Sequence, residues 1–341
     1  MRIFEHKFVA DKAKIRRRAA ARQGLLTQYA AKFAEKTCAY AYEDRFLLHQ
    51  CKIRRIFNMI SSSVMTALTV GVIITAAAPV IAAIILLAAR KISPAAFFSG
   101  FGAFAISQLV LRIPIMTLLS AQSWYAAFSV TVIGSLVTCF TAGLFEESAR
   151  LIFVRFVLKN HRSYKDSIGF GLGHGFCEMI SLCGLGYISY LMLAAIYNGG
   201  SLEEYLGMSM PQEQTDLVIS SITSLTAPLI RMGILERISA LMFHITASTV
   251  IFKGVRSGHS VRNWLIAIGL HTALNFITVM LASYLNNIYI IEAVMLVLCS
   301  AGLVWTIKQR RSFNSTDAAR EAEKTPDPFL QTIENSKTSD Q

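Results

Sequence analysis

Long apolar runs are the feature that most constrains the fold of this chain. Seven of them approach or exceed the roughly 20 residues that a helix needs to cross the hydrocarbon core of a bilayer. They cover residues 64–89, 94–119, 125–145, 168–196, 232–252, 264–284 and 288–307. Because only helices and closed barrels satisfy their backbone hydrogen bonds in lipid, these runs predict an all-α fold. The expected architecture is a polytopic transmembrane helix bundle of about seven spans.

The composition agrees with a multi-pass protein of the cell membrane and excludes a soluble globular protein. Of the 341 residues, 54% are hydrophobic and 16% are charged. The net charge of +12 comes mostly from the N-terminal stretch, short loops and the tail. Membrane topology and anionic lipid headgroups account for basic residues there, so we expect the lipid bilayer as a partner and no nucleic acid. The oligomeric state stays open.

The six cysteines predict neither disulfides nor zinc ligands. They stand at positions 38, 51, 139, 177, 183 and 299, without a CxxC motif or other paired spacing. Most of them lie in apolar runs, where a free cysteine behaves as a small buried side chain.

Composition divides the chain into three regions. Residues 1–57 are polar and basic and predict an N-terminal extension, either a surface helix or a disordered arm, without a secretory signal peptide. A translation start at Met59 is an alternative hypothesis, because the composition changes abruptly there. Residues 58–308 form the predicted transmembrane domain. Residues 309–341 are polar, and disorder is expected from Ser312 onward.

Loop charges predict the orientation of the bundle. The basic loops 159–166 and 253–262 and the C-terminal tail are expected in the cytoplasm, and the acidic loop 199–216 outside. Counting back through three spans places the N-terminus outside, whereas the basic stretch 1–57 favours the cytoplasm. A start at Met59, or an early segment that does not span, would remove this conflict. Residues 219–230 are too short to span and predict a re-entrant or interfacial helix.

Three charged residues follow the third apolar run, on a helix that is expected to continue to Leu158. Glu146 and Arg150 are four residues apart, and Glu147 and Arg150 are three apart, so one carboxylate is neutralised locally on a helix. A charged side chain deep in a bilayer costs about 2.5–3.5 kcal/mol on insertion scales. Residues retained at that cost indicate a functional site facing the bundle interior.

Three further spans carry polar stripes at helical spacing. These are His174 with Glu178, Arg237 with His244, and His271 with Asn275. Each pair lies on one helix face, and bundles build metal and catalytic sites from facing helices. Taken singly, each residue has a structural explanation, such as an interhelical hydrogen bond or a self-neutralising Glu236–Arg237 pair. Together the four stripes predict a shared site, where a carboxylate beside imidazoles activates water, with or without a metal.

The motifs resemble those of intramembrane proteases. Glu146-Glu147-x-x-Arg150, Phe170-x-x-x-His174 and His271-x-x-x-Asn275, in that order, are similar to the motif set of the CAAX-protease and bacteriocin-processing family. That family has three residues between the second Glu and the Arg, whereas two stand here. PrsW-type proteases have the shorter spacing, with Lys in place of Arg150.

The YhfC family of intramembrane metalloproteases is the closer resemblance. The residues that carry it are Gly143-Leu-Phe-Glu-Glu, Arg150 and Gly173-His-Gly-x-x-Glu178. The resemblance covers about residues 64–307 and implies hydrolysis of a peptide bond in or near the membrane. It implies a peptide or membrane protein as substrate.

The resemblance also implies roles for the site residues. Glu147 would be the base that activates water, with Glu146 and Arg150 positioning it, and Asn275 would stabilise the oxyanion. His174 and His271 would orient water or bind a metal, with Glu178 and His244 as additional or supporting ligands. A divalent metal such as zinc fits this set, but a metal-free glutamate mechanism needs the same residues.

Two alternative functions from other classes of protein are also compatible with the sequence. A proton- or ion-coupled transporter would use the same charged stripes as a pathway, but the two halves show no convincing inverted repeat. A non-catalytic immunity or scaffold protein with a degenerate protease fold is the other alternative. The intact Glu-Glu, His and His-Asn positions weigh against it.

Overall fold

The computed structural model describes residues 59–285 and 287–324, with side chains up to Ser315. The extension 1–57 therefore lies outside the described residues. Within the described part every regular element is a helix, which confirms the all-α prediction. The helices are α1 Ser62–Ala88, α2 Pro94–Ser120, α3 Ser123–Ser129, α4 Val132–Val157, α5 Tyr164–Gly199, α6 Leu202–Gly207, α7 Gln212–Thr223, α8 Ala227–Arg256, α9 Ser260–Tyr284 and α10 Ile288–Lys324.

Helix length and hydropathy confirm a multi-pass membrane protein. Six described helices are long and apolar enough to cross a bilayer: α1, α2, α5, α8, α9 and the part of α10 up to Ser315. Helices α3 and α4 pass the same test together, although the chain bends by 95° between them. They bring the number of candidate spans to seven.

The bend before α4 differs from the predicted run over residues 125–145. The side chain of Thr131 accepts a hydrogen bond from the Gly134 amide and caps a new helix. A Cβ atom on Gly134 would lie 2.0 Å from the Phe128 carbonyl oxygen, so a glycine is required at this corner. The third span therefore begins at Val132.

The segment 219–230 does not form one interfacial helix. Helix α7 ends at Thr223, and α8 begins at Ala227. The Thr226 side chain accepts from the Leu229 amide, and Pro228 stands in the first turn, where the missing amide hydrogen is tolerated. These two signals start the fifth span earlier than residue 232.

The last helix continues into the predicted tail, so the expectation of disorder from Ser312 is wrong as far as Lys324. Phe313 is buried and packs edge-on against the Tyr164 ring at 5.8 Å. Arg256 lies over the Phe313 ring and donates to the Phe313 carbonyl at 3.1 Å. This contact anchors the extension of α10 to the bundle. Residues 325–341 lie outside the described part.

Glycines let α5 pack closely between α2 and α8. A Cβ atom on Gly173 would lie 2.0 Å from the Phe97 carbonyl oxygen of α2. One on Gly171 would lie 2.5 Å from the Ile245 Cα atom of α8. The backbones approach as closely as they do in small-residue packing of membrane helices. This packing places His174 at the centre of the bundle.

Gly173→Ala is therefore expected to destabilise the protein, whereas Gly186→Ala on the same helix is not. The added methyl group at position 173 forces α2 and α5 apart, at a cost of about 1–3 kcal/mol or more. At Gly186 nothing lies within 4 Å of the added atom. Thermal unfolding in detergent measures the difference. Equal unfolding temperatures for the two variants would contradict the close α2–α5 contact.

Three loops meet at one basic end of the bundle. Lys165 at the start of α5 donates to the Arg90 carbonyl, and Arg256 donates to the Arg162 carbonyl at 2.8 Å. The connections after α1, α4 and α8 therefore share an end. The positive-inside rule predicts that this end faces the cytoplasm. Helix α1 then starts at the opposite end, in agreement with the count through the spans.

Candidate catalytic and metal site

The four predicted polar stripes meet in the bundle interior. Helices α4, α5, α8 and α9 each contribute to one cluster whose acidic and imidazole side chains are largely buried. His174 stands ten residues after Tyr164, or about 15 Å along α5 at 1.5 Å per residue. Half of a hydrocarbon core is about 15 Å, so a core that begins at Tyr164 places the cluster close to the bilayer midplane.

Glu146 is at the centre of this cluster. Its Oε2 lies 3.0 Å from His174 Nε2 and 3.9 Å from His244 Nδ1. Its Oε1 lies 3.8 Å from His271 Nε2 and accepts a hydrogen bond from Gln108 Nε2 at 2.8 Å. One buried carboxylate is therefore surrounded by three imidazoles.

The Glu147 side chain points away from the cavity, and both of its carboxylate oxygens have polar partners. Its Oε2 accepts from Arg150 Nε at 2.8 Å, and its Oε1 lies 3.0 Å from His271 Nδ1. Its side chain has no exposed surface, and it is absent from the cavity wall that Glu146 helps to form. This geometry favours Glu146, rather than Glu147, for contact with a substrate.

Arg150 joins α4 to α8. Its Nη1 donates to Ser248 Oγ at 2.5 Å and to the His244 carbonyl at 3.4 Å, and its Nη2 lies 3.2 Å from His244 Nδ1. The side chain is fully buried. Arg150 therefore neutralises Glu147 and fixes the position of His244 at the same time.

Glu146, His174 and His244 fit a divalent metal. Each offers a donor atom, and these atoms lie within 4.8 Å of one another. Zinc bonds of 2.0–2.2 Å in tetrahedral geometry separate ligand atoms by about 3.3–3.5 Å, and the distances of 3.0 and 3.9 Å bracket that value. The nitrogen of His174 that faces this group is Nε2, because it lies 3.0 Å from Glu146 Oε2, whereas the buried Nδ1 has no hydrogen-bond partner among the described atoms. One carboxylate with two imidazoles is a donor set of catalytic zinc sites.

The other two predicted ligands support the cluster from outside it. Glu178 contacts His244 Nε2 and is itself bonded by Arg237 Nη1 at 2.6 Å. Arg237 also pairs with Glu236. Carboxylates in this position commonly orient metal-binding histidines. His271 is held by Glu147 in the same manner and stands apart from the three-residue donor group.

A cavity of about 360 Å³ reaches the cluster, a size within the range of ligand pockets. Its polar wall includes Glu146, Glu178, His244, His271 and Asn275, together with Gln108, Arg112, Glu236 and Arg237. Asn275 lies one helical turn beyond His271, as predicted. The apolar part of the wall includes Phe104, Cys139, Leu182, Phe243, Leu274 and Met295. The cavity therefore suits an apolar chain segment that brings a polar bond to Glu146.

Sequence reasoning missed the contribution of α2. Gln108 is buried and donates to Glu146, while Arg112 Nη1 donates to the Gln108 side-chain oxygen at 3.3 Å. Arg112 Nη2 also donates to the Thr138 carbonyl at 2.9 Å. Gln108 and Arg112 are four residues apart in an apolar run, the same signal as the other stripes.

The chain has relatives among membrane proteins. The sequence model of a family described as YhfC intramembrane metalloprotease matches residues 74–298, which contain all of the site. A Bacillus subtilis (strain 168) protein, described as uncharacterized membrane protein YhfC, is 27% identical over 207 residues. That alignment covers 60% of this chain and 76% of the relative. No solved structure matches the chain.

Proposed function

The chain belongs to the YhfC intramembrane metalloprotease family, and on that premise we propose that it hydrolyses peptide bonds within the membrane. One observation carries the proposal: Glu146 is buried among three imidazoles and still lines a cavity. A carboxylate at this depth is costly in lipid, and hydrolysis gives it a use. The proposed substrate is a peptide or a membrane protein.

Glu146, His174 and His244 would hold a divalent cation such as zinc, with a coordination position left for a fourth ligand. The bound cation would supply Lewis acidity toward the scissile carbonyl oxygen. Glu178 and Arg237 keep His244 turned toward this group.

His271 is placed to move the protons of the reaction. Because a carboxylate only accepts, the bond to Glu147 puts a ring hydrogen on Nδ1, and the neutral ring then has its lone pair on Nε2. That nitrogen faces Glu146 at the cavity wall. In the proposed reaction, Nε2 takes a proton from water as the water oxygen bonds to the amide carbon. It returns the proton to the amide nitrogen as the carbon–nitrogen bond breaks, as in carboxylate–histidine pairs of hydrolases.

Asn275 completes the proposed constellation. It lies on the cavity wall on the same face of α9 as His271. Its side-chain amide group can donate to the oxygen that becomes negative when water adds to the carbonyl. The apolar wall around Phe243 and Leu274 would exclude bulk water and hold the substrate segment.

The test is the appearance of new protein N-termini. Purified protein in detergent is mixed with a solubilised membrane-protein fraction, and the N-termini are labelled and quantified by mass spectrometry. We expect new termini inside or near apolar segments. The chelator 1,10-phenanthroline should suppress them, and its non-chelating 1,7 isomer should not. No new termini, together with ion-dependent uptake into proteoliposomes, would contradict hydrolysis and favour a transporter.

Gln108→Leu is expected to slow this hydrolysis by about 10–100-fold, the usual effect of removing a group that orients a site carboxylate. The substitution removes the hydrogen bond to Glu146 Oε1 and leaves that oxygen without its α2 partner. Gln214→Leu, at an exposed position of α7, is the matched control and should keep the wild-type rate. Equal rates for the two variants would show that α2 does not position Glu146.

A further inference from the structure

A second cavity lies at the basic end of the bundle, separate from the catalytic cluster. It has a volume of about 820 Å³ and lies between the end of α4 and the start of α9. Arg155, Lys159 and Arg162 line one side, and His259 and Arg262 line the other. Among the described residues of its wall none is acidic.

The basic residues of this cavity differ in their contacts and in their exposure. Arg162 donates to the carbonyls of Val154 and Arg155 and so closes the loop after α4. Arg155, Lys159 and Arg262 are exposed and carry their charges at the cavity. Helix α9 begins beside them without a side-chain cap bond, so its first amides add partial positive charge. The cavity therefore favours an anion.

An apolar flank adjoins the cationic cavity. Phe156 and Val261 line the cavity and are more than half exposed. Val157, which follows Phe156 at the end of α4, and Leu265, one turn beyond Val261 on α9, are also more than half exposed. In a membrane these side chains face lipid. A ligand with an anionic head and an apolar tail would contact both parts.

We propose that this cavity binds the phosphate headgroup of an anionic phospholipid, with an acyl chain along Phe156 and Val261. Basic residues at a cytoplasmic end commonly determine the orientation of a membrane protein. Lys308, Arg310 and Arg311 are basic residues of this kind, and they are not part of the cavity wall. Arg155, Lys159 and Arg262 differ because they surround one cavity. Basic pockets between helix ends on this side of a membrane suit anionic headgroups. Free phosphate would leave the apolar flank without a contact.

The test compares two charge-matched triple variants of the full chain. One is Arg155→Gln with Lys159→Gln and Arg262→Gln, and the other is Lys308→Gln with Arg310→Gln and Arg311→Gln. Native mass spectrometry measures binding of phosphatidylglycerol and phosphatidylcholine to each. Each basic residue near an anionic surface contributes a factor of about five. We expect the cavity variant to bind phosphatidylglycerol about 100-fold more weakly, with the control variant and phosphatidylcholine binding unchanged.

Three results would overturn the proposal: equal losses in both triple variants, no loss in the cavity variant, or displacement of the lipid by millimolar inorganic phosphate. The last would identify a free anion as the ligand. Thermal unfolding in detergent checks that the variants are folded. If the cavity triple variant does not fold, Arg262→Gln is compared with Arg311→Gln. An about fivefold loss confined to position 262 supports the proposal, and equal binding by the two single variants overturns it.

Discussion

Glu146→Gln is expected to reduce peptide-bond hydrolysis by about 10²–10⁴-fold or more while the bundle stays folded. Glutamine preserves the size of the side chain and can still meet Gln108 and His174. It lacks the negative charge that faces the three imidazoles and the proposed cation. The rate of appearance of product N-termini measures the loss. Thermal unfolding within a few degrees of wild type shows that the fold is kept.

Glu236→Gln is the matched control for this substitution. Glu236 lies on the wall of the same cavity but is partly exposed and pairs with Arg237. Surface ion pairs of this kind contribute about 0–1 kcal/mol, so we expect near-normal hydrolysis and stability. Normal hydrolysis by Glu146→Gln, or an equal loss of hydrolysis in Glu236→Gln, would contradict a direct role of Glu146 in the reaction.

Arg150→Met is expected to have the largest effect on stability, about 3–5 kcal/mol, which is typical for removing one partner of a buried ion pair. The substitution leaves the buried Glu147 carboxylate without its guanidinium. It also removes the hydrogen bond from α4 to Ser248 of α8. Unfolding in mixed detergent, followed by circular dichroism, measures the change. Arg155→Met, at an exposed position of the same helix, should change stability by less than about 0.5 kcal/mol.

A second substitution separates charge from packing. Glu147→Gln combined with Arg150→Met removes both charges of the buried pair, so the double variant should be more stable than Arg150→Met alone. The contacts to Ser248 stay lost in both. If the double variant is no more stable than the single one, desolvated charge is not the cause of the loss.

The sequence predicts the cluster because helix geometry is local. Residues three, four or seven apart share a helix face, so spacing alone predicts that His174 lies beside Glu178 and His271 beside Asn275. Polar side chains at membrane depth need polar partners, so the separate stripes are expected to meet at one site. The structure brings these residues together on α4, α5, α8 and α9.

The different roles of the adjacent residues Glu146 and Glu147 could not be predicted from spacing. Glu146 and Glu147 are neighbours whose side chains point about 100° apart on a helix. Which one faces the cavity depends on Gln108, Arg150 and His271, which come from distant parts of the chain. The same holds for His244, whose orientation depends on Glu178 across the α5–α8 contact.

Two differences in helix boundaries also arise from tertiary contacts. The corner before α4 depends on the approach of Gly134 to the Phe128 carbonyl, which hydropathy does not show. The extension of α10 depends on Phe313 packing against Tyr164 and Arg256. In both places a single side chain, or its absence, decides where a helix begins or continues.

Metal content tests most directly whether Glu146, His174 and His244 hold a divalent cation, as we propose. The direct measurement is elemental analysis of purified protein that has been saturated with zinc and freed of excess metal. We predict about one zinc per chain in wild type, loss of that zinc in His174→Ala and in His244→Ala, and retention in His161→Ala, an exposed histidine outside the cluster. A folded wild type that retains no more zinc than His174→Ala would contradict the claim and leave Glu146 in a metal-free mechanism.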